Sequence, residues 1–298
     1  MTFNENANID PSRVRRRRGG KIAGASIGGG LGLVAIVLLS QFLGVDLTPL
    51  VGGLAGGGVS SSQEESQLEG CTTGAEANAS LDCRIAGTAD SLDTYWSAAL
   101  PELGVAYRTV DGVILFEGAT GTACGTGTSA MGPFYCPGDE TIYMDTAFFG
   151  ELRSRFGASG GPLAEMYVVA HEWGHHVQHI AGIMDGLDLR DTGPDSDGVR
   201  LELQADCFAG AWAGAATEIV DERGVTFLEP LTEAQVRDAL SAAAAVGDDH
   251  IQESLGGGQV NPETWTHGSS ESRQRWFTTG YERGPEACDT FDVPASAL

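Results

Sequence analysis

Four of the six histidines of this 298-residue chain fall within nine positions, His171-Glu172-Trp173-Gly174-His175-His176-Val177-Gln178-His179. Imidazoles four residues apart on a helix leave it from one face, because four residues make slightly more than one turn. The nitrogens of His171 and His175 can then take adjacent corners of a zinc tetrahedron. Glu172 stands next to the first imidazole. It can reach a water at an open corner and take its proton as that water attacks a carbonyl. The chemistry open to these residue types at this spacing is metal-assisted hydrolysis. The bland alternative is a His-rich helical turn, and the rarity of His-Glu-x-x-His weighs against it.

A catalytic zinc needs a third protein ligand. A third histidine ten residues after the first would serve one class of such enzymes. That position is Ala181, and the helix-breaking glycine expected before it is Gln178, which excludes that class. Cys124 and Cys136 are upstream thiols, but both are expected to be crosslinked. A carboxylate from a second helix remains. Glu202-Leu203-Gln204-Ala205-Asp206 lies 27 residues after His175, room for a loop and a returning helix. Glu202 is the first candidate and Asp206 the second. In the first arrangement Asp206, one turn on, accepts the other N–H of a zinc-bound imidazole. The neighbours Leu201, Leu203, Cys207 and Phe208 are apolar, so this helix is expected to be buried. His176 points about 100° away from His175 and reads as structural. His250 reads as a surface group. His267, before the last helix, is a candidate stabiliser of the oxyanion.

Several elements must position these groups. Residues 88–100 carry a helical pattern ended by Pro101. Residues 105–109, 112–117 and 141–145 read as short strands, with a Gly- and Cys-rich loop at 121–138. Residues 141–145 are the expected edge on which an extended peptide could add as a further strand. Helices are expected from Pro162 to about residue 183 and from about 197 to 220. Two more are expected from Thr232 to about 247 and from residue 269 or 270 to about 281. A few strands followed by several helices imply an α+β fold.

The charge is unevenly distributed. The chain carries a net charge of −24, from 17 basic and 41 acidic residues. Six of the basic residues (Arg13, Arg15, Arg16, Arg17, Arg18 and Lys21) lie in the first 21 positions, with only Glu5 and Asp10 against them. An acidic body makes nucleic acid a poor partner, because phosphate contacts need clustered Lys and Arg. Residues 22–44 contain no charge, and a helix of that length rises roughly 34 Å, enough to span a bilayer core. The positive-inside rule assigns residues 1–21 to the cytoplasm as a basic head and residues 22–44 to one transmembrane helix. Residues 45–67 then form a Gly/Ser-rich linker. Residues 68–298 are the exported domain, held at the cell membrane with its C terminus outside. All six cysteines fall in that domain, and an even count in an oxidising compartment favours disulfides. The expected pairs are Cys71–Cys83, Cys124–Cys136 and Cys207–Cys288.

The segments HEWGHHVQ (171–178), ELQADCFAGAW (202–212) and HGSSESRQRWF (267–277) resemble the bacterial putative neutral zinc metallopeptidase family, also called YpfJ-like. GPFYCPGDETIYMD (132–145) and CDTF (288–291) match as well, so the likeness covers about residues 68–292. In outline the chain is also similar to the gluzincin peptidases, which share the His-Glu-x-x-His motif, a distant Glu ligand with Asp four residues later, and a late His. The resemblance implies a zincin/gluzincin-like domain with ligands His171, His175 and Glu202 and base Glu172. His267 is followed by Gly268 where the prenyl-protein proteases have Pro, a looser match.

The expectation is a membrane-anchored endopeptidase that cleaves a peptide or protein substrate with a zinc-activated water. Its rivals are a non-catalytic zinc-containing scaffold and a zinc hydrolase of a non-peptide amide. Oligomeric state does not follow from the sequence.

Overall fold

A computed structural model describes residues 2–17, 64–255 and 258–298. The described chain begins with strands β1 (Val14–Arg17) and β2 (Glu65–Gln67). Helix α1 (Gly74–Ala79) opens on a capping box in which Thr73 and Glu76 satisfy each other's backbone N–H groups. Ser80 caps α2 (Leu81–Glu102) by accepting the Cys83 N–H. This helix starts seven residues before the expected Thr88, because Ile85, Ala86 and Ala89 already face the core. Strands β3 (Gly112–Phe116), β4 (Ala119–Thr122), β5 (Gly125–Thr128), β6 (Phe134–Cys136) and β7 (Thr141–Asp145) follow. The expected strand at 105–109 does not form, and the expected loop at 121–138 contains the β4–β5 hairpin and β6.

The main sheet has the order β2-β1-β3-β7-β6. β1, β3 and β7 run parallel, while β2 and β6 pair antiparallel at the two edges. Every residue of β3 and β7 is buried, as a strand covered on both sides requires. Residues 141–145 are therefore interior and β6 is the outer strand, which corrects the expected peptide-binding edge.

Among the described residues six helices follow: α3 (Phe148–Ser154), α4 (Pro162–Ile180), α5 (Asp197–Gly214), α6 (Glu233–Ala245), α7 (Asp248–Leu255) and α8 (Ser270–Arg283). Pro162 suits the first turn of α4 because it has no N–H to satisfy. Where α4 crosses α5, a Cβ on Gly174 would lie 3.0 Å from the Ala205 Cα. The glycine inside the histidine motif thus lets the two helices approach. Trp96, Trp173, Trp212 and Phe277 fill the core beneath them, with Trp96 edge-on to Phe208 at 5.2 Å. The three expected disulfides are all present.

The basic head departs most from expectation. Phe3, Ala7 and Val14 are fully buried and Ile9 is 2 % exposed, all within the main core. Backbone bonds tie this strap to the body: Asn4 N–H to the Phe227 carbonyl, Ile9 N–H to Thr72 and Gly74 N–H to Ala7. A Cβ on Gly74 would fall 1.8 Å from the Asn4 carbonyl oxygen, so the strap fits only over glycine there. β1 then lies between β2 and β3, pairing Arg15 with Gln67 on one side and with Ile114 on the other. The arginines meet acids of the body instead of lipid phosphates: Arg13–Asp93 at 2.8 Å, Arg16–Asp82 at 2.6 Å and Arg17–Glu65 at 2.6 Å.

Residues 2–17 therefore share one core and one sheet with the described residues of the body, instead of standing apart as a head. One crossing between them would put hydrogen-bonded strands on opposite faces of a membrane. The segment 22–44 lies outside the described residues, as does most of the linker, whose last residues form β2. Among the described residues no helix is long and apolar enough to cross a membrane.

Candidate metal centre

The site is built on two crossing helices. α4 carries His171, Glu172 and His175. α5, capped by the Ser196 hydroxyl accepting the Val199 N–H, carries Glu202 and Asp206. The two imidazole centroids are 4.8 Å apart. His171 Nε2 lies 3.1 Å from Glu202 Oε2, and His175 Nε2 lies 3.4 Å from Glu202 Oε1. One donor atom from each of His171, His175 and Glu202 falls within 4.8 Å of the others.

The far nitrogens of both rings are already engaged. His171 Nδ1 donates to Asp206 Oδ1 at 2.9 Å, and His175 Nδ1 donates to Gln178 Oε1 at 2.8 Å. With the proton on Nδ1, each Nε2 turns a lone pair toward a carboxylate oxygen. Lone pairs facing each other at these distances need a cation between them, either protons or a metal. Two imidazoles and a carboxylate are a donor set that suits zinc, so these residues fit the ion their pattern implies. Asp206 meets the other side of His171 and is not among the converging atoms.

The electrostatics agree with a cation site. Burial disfavours a charged His171, yet the Asp206 and Glu202 carboxylates outweigh it and lift the group to about 10. Burial likewise opposes charge on His175, and Glu202 overcomes it to raise that pKa. Burial would raise Glu202, but the two imidazoles hold it well below the usual carboxylate range. Glu172 is 7 % exposed, and its burial pushes its carboxyl upward despite the nearby imidazoles. A carboxylate with a raised pKa is the better proton acceptor.

Asp206 is fully buried and holds an extensive network. It accepts from Tyr167 Oη, from His171 Nδ1, from Arg273 Nε at 2.7 Å and from Arg273 Nη2 at 3.0 Å. Burial would raise Asp206, but Arg273 and His171 keep it ionised, with its pKa lowered. Arg273 is 2 % exposed and comes from α8. The sequence reading missed Arg273, Tyr167 and Gln178, although each had a signal. Tyr167 sits one turn before His171, Gln178 sits three residues after His175, and Arg273 shares its helix face with buried Trp276 and Phe277.

His267 stands on the loop before α8 with its side chain 47 % exposed. One oxygen of buried Asp248 accepts the backbone N–H groups of Thr266, His267 and Gly268 at 2.8, 2.6 and 2.9 Å. The other lies 3.3 Å from His267 Nδ1. Packing around the ring disfavours its charge, but Asp248 and the charge of Glu202 outweigh this and raise the pKa. His176 is fully buried, with Nδ1 on the Tyr135 hydroxyl and Nε2 on the Arg108 carbonyl, so it ties α4 to the sheet side. His250, expected at the surface, is half-buried, and its Nε2 donates to the Phe156 carbonyl at 2.8 Å.

The sequence profile of a family described as "putative neutral zinc metallopeptidase" matches residues 2–291, the N-terminal strap included. An uncharacterized protein of Mycobacterium tuberculosis (strain H37Rv) is 47 % identical over 304 residues, 98 % of this chain and 99 % of the relative. The uncharacterized protein YpfJ of Escherichia coli (strain K12) is 37 % identical over 269 residues, 88 % of this chain and 86 % of the relative. No solved structure matches the chain.

Proposed function

The chain belongs to the putative neutral zinc metallopeptidase family, and from that premise we propose that it is a zinc-dependent endopeptidase with Glu172 as its general base. His171, His175 and Glu202 would hold the ion. Zinc bound there supplies Lewis acidity, which polarises a scissile carbonyl and makes a nearby water easier to deprotonate. Glu172 follows the first ligand on α4 and stays off the donor cluster, so its carboxylate is free to take that proton and pass it to the leaving amine. Asp206, held by Arg273 and Tyr167, fixes His171 with Nε2 toward the ion. His267, held through Nδ1 by Asp248, keeps its Nε2 for the developing oxyanion. β6 is the strand along which an extended peptide could pair.

The observation that carries this reading is the convergence of two Nε2 lone pairs on one carboxylate beside an unengaged, buried Glu172. A surface ion pair needs no such set of locked tautomers. The three disulfides support work outside the cytoplasm. The same proposal places the chain at the outer face of the cell membrane, with residues 2–17 on the same side as the active domain they pair with.

The testing experiment is digestion of an unbiased peptide library by the purified, disulfide-intact chain, with and without a chelator. Cleavage that disappears on chelation and returns with added zinc supports the reading. Absence of cleavage from fully zinc-loaded protein contradicts it.

A further inference from the structure

His175 is the less guarded of the two imidazoles. His171 Nδ1 is fixed by a carboxylate that itself receives an arginine and a tyrosine, whereas His175 Nδ1 meets the neutral amide of Gln178. That amide is fully buried and belongs to a chain of hydrogen bonds whose direction can be derived. The Cys288 carbonyl can only accept, so the atom 2.9 Å from it must be the Gln204 amide nitrogen, which donates. The oxygen of Gln204 then faces Gln178 at 3.1 Å and accepts from its amide nitrogen. The same nitrogen donates to the Leu201 carbonyl at 2.7 Å, so a flipped Gln178 would set its oxygen against two others. Gln178 must therefore turn its oxygen to His175, and His175 must carry its proton on Nδ1.

The start of this relay is held firmly. Cys288 is bonded to Cys207 on α5, and both are buried. Thr290 donates its hydroxyl to the Arg200 carbonyl at 2.7 Å, and Arg200 returns a bond to the Val293 carbonyl at 3.0 Å. The C-terminal segment is thus clamped along α5, within one turn of the carboxylates of the site.

We propose that Gln178 and Gln204 are positioning residues through which the crosslinked Cys288 carbonyl fixes the tautomer of His175 and turns its Nε2 toward the ion. The proposal rests on His175 being a ligand. The disulfide then does more than tie down a C-terminal segment, because it holds the far end of a relay that ends on the metal centre. A pair of glutamines placed only to satisfy the Leu201 and Cys288 carbonyls would leave the proton of His175 unspecified.

The test uses the full chain and zinc itself. Nitrogen-15 spectra of the metal-free Glu202→Ala protein, in which no carboxylate competes for a proton on Nε2, report the tautomer of neutral His175 without any dependence on zinc. The proton is expected on Nδ1, and a proton on Nε2 overturns the proposal. Zinc affinity is then measured by chelator competition for Gln178→Leu, Gln204→Leu and Gln178→Glu. Each leucine variant is expected to bind roughly 10- to 100-fold more weakly, the usual scale for a lost partner of a ligand. Gln178→Glu keeps an acceptor for Nδ1–H but sets its second oxygen against the Leu201 carbonyl and the Gln204 oxygen, so it is expected to recover little of that loss. A Cys207→Ser/Cys288→Ser protein combined with Gln204→Leu should lose no more affinity than the worse of the two alone, as members of one relay do. Leucine variants that fold and bind zinc as tightly as wild type overturn the proposal. If a leucine variant fails to fold, the tautomer in the Glu202→Ala protein still decides. Failure of wild type to bind zinc, with the Nδ1 tautomer intact, would instead count against the proposed function and leave the relay standing.

Discussion

Replacing Phe3 by alanine tests the most unexpected part of the fold with one side chain. Phe3 is the third residue of a stretch whose arginines read from sequence as a cytoplasmic head, where its loss should cost nothing. In the structure its ring is fully buried against α2, in a place where a Cβ on Gly87 would meet it at 2.7 Å. The backbone there is bridged to Leu228, so the site cannot collapse easily around the missing ring. Truncating a buried phenylalanine costs about 3–5 kcal/mol. For a domain of this size each kcal/mol moves the melting temperature by about 2–4 °C, so the expected fall is roughly 6–20 °C. Thermal unfolding of the full, disulfide-intact chain followed by circular dichroism reads it directly, with Asn6→Ala on the same strap as a comparison. A Phe3→Ala protein that melts within a degree or so of wild type would refute the packing of the strap and the strand pairing that follows from it.

Other expectations follow from the same contacts. Epitope tags at the two termini should respond alike to protease added outside intact cells, because β1 and the body share one sheet; protection of the N-terminal tag alone would contradict this. Asp90 lies under the strap and accepts the Asp10 N–H, and its burial, together with the charge of Asp10, lifts its carboxyl to about 6. Its folded pKa exceeds the unfolded value of 3.8, so the folded state holds the extra proton between these values and stability falls as pH rises from about 4 to 6. Asp90→Asn should therefore stabilise the chain at pH 7 by about 1–2 kcal/mol after allowance for partial exposure, and by little at pH 3; equal effects at both pH values in denaturant unfolding would show otherwise. Arg273→Gln leaves Asp206 buried without its cation and should destabilise the chain by about 3–5 kcal/mol while weakening zinc binding; unchanged melting and zinc affinity would remove Arg273 from the network.

The site was more legible in the sequence than the architecture around it. Residues four apart on a helix announce a shared face by spacing alone, and an acid between apolar neighbours, as at Glu202, announces a buried acid that needs a partner. The partners of the site were harder. Arg273 and Gln178 show their roles only once α8 and α5 are packed on α4, because a side chain's hydrogen-bond partner is set by tertiary position. The strap was misread for a physical reason. Arginines followed by an uncharged run satisfy the positive-inside pattern whether or not they pair with acids 48 to 80 residues away, and local sequence carries no record of those pairings. β2 is three exposed polar residues and shows no period at all. Residues 141–145 held a usable clue, since the unbroken apolar run Ile142-Tyr143-Met144 suits an interior strand better than an alternating edge.

The central claim is that Glu172 moves a proton at an ion held by its neighbours. The direct measurement is zinc content and peptide hydrolysis in parallel for wild type, Glu172→Gln and Glu202→Ala. Glu172→Gln keeps its shape and all three donors, so it should retain one zinc per chain while hydrolysis falls by about 10²–10⁴. Glu202→Ala should lose zinc under the same dialysis. Full hydrolysis by zinc-loaded Glu172→Gln, or full zinc retention by Glu202→Ala, would contradict the assignment.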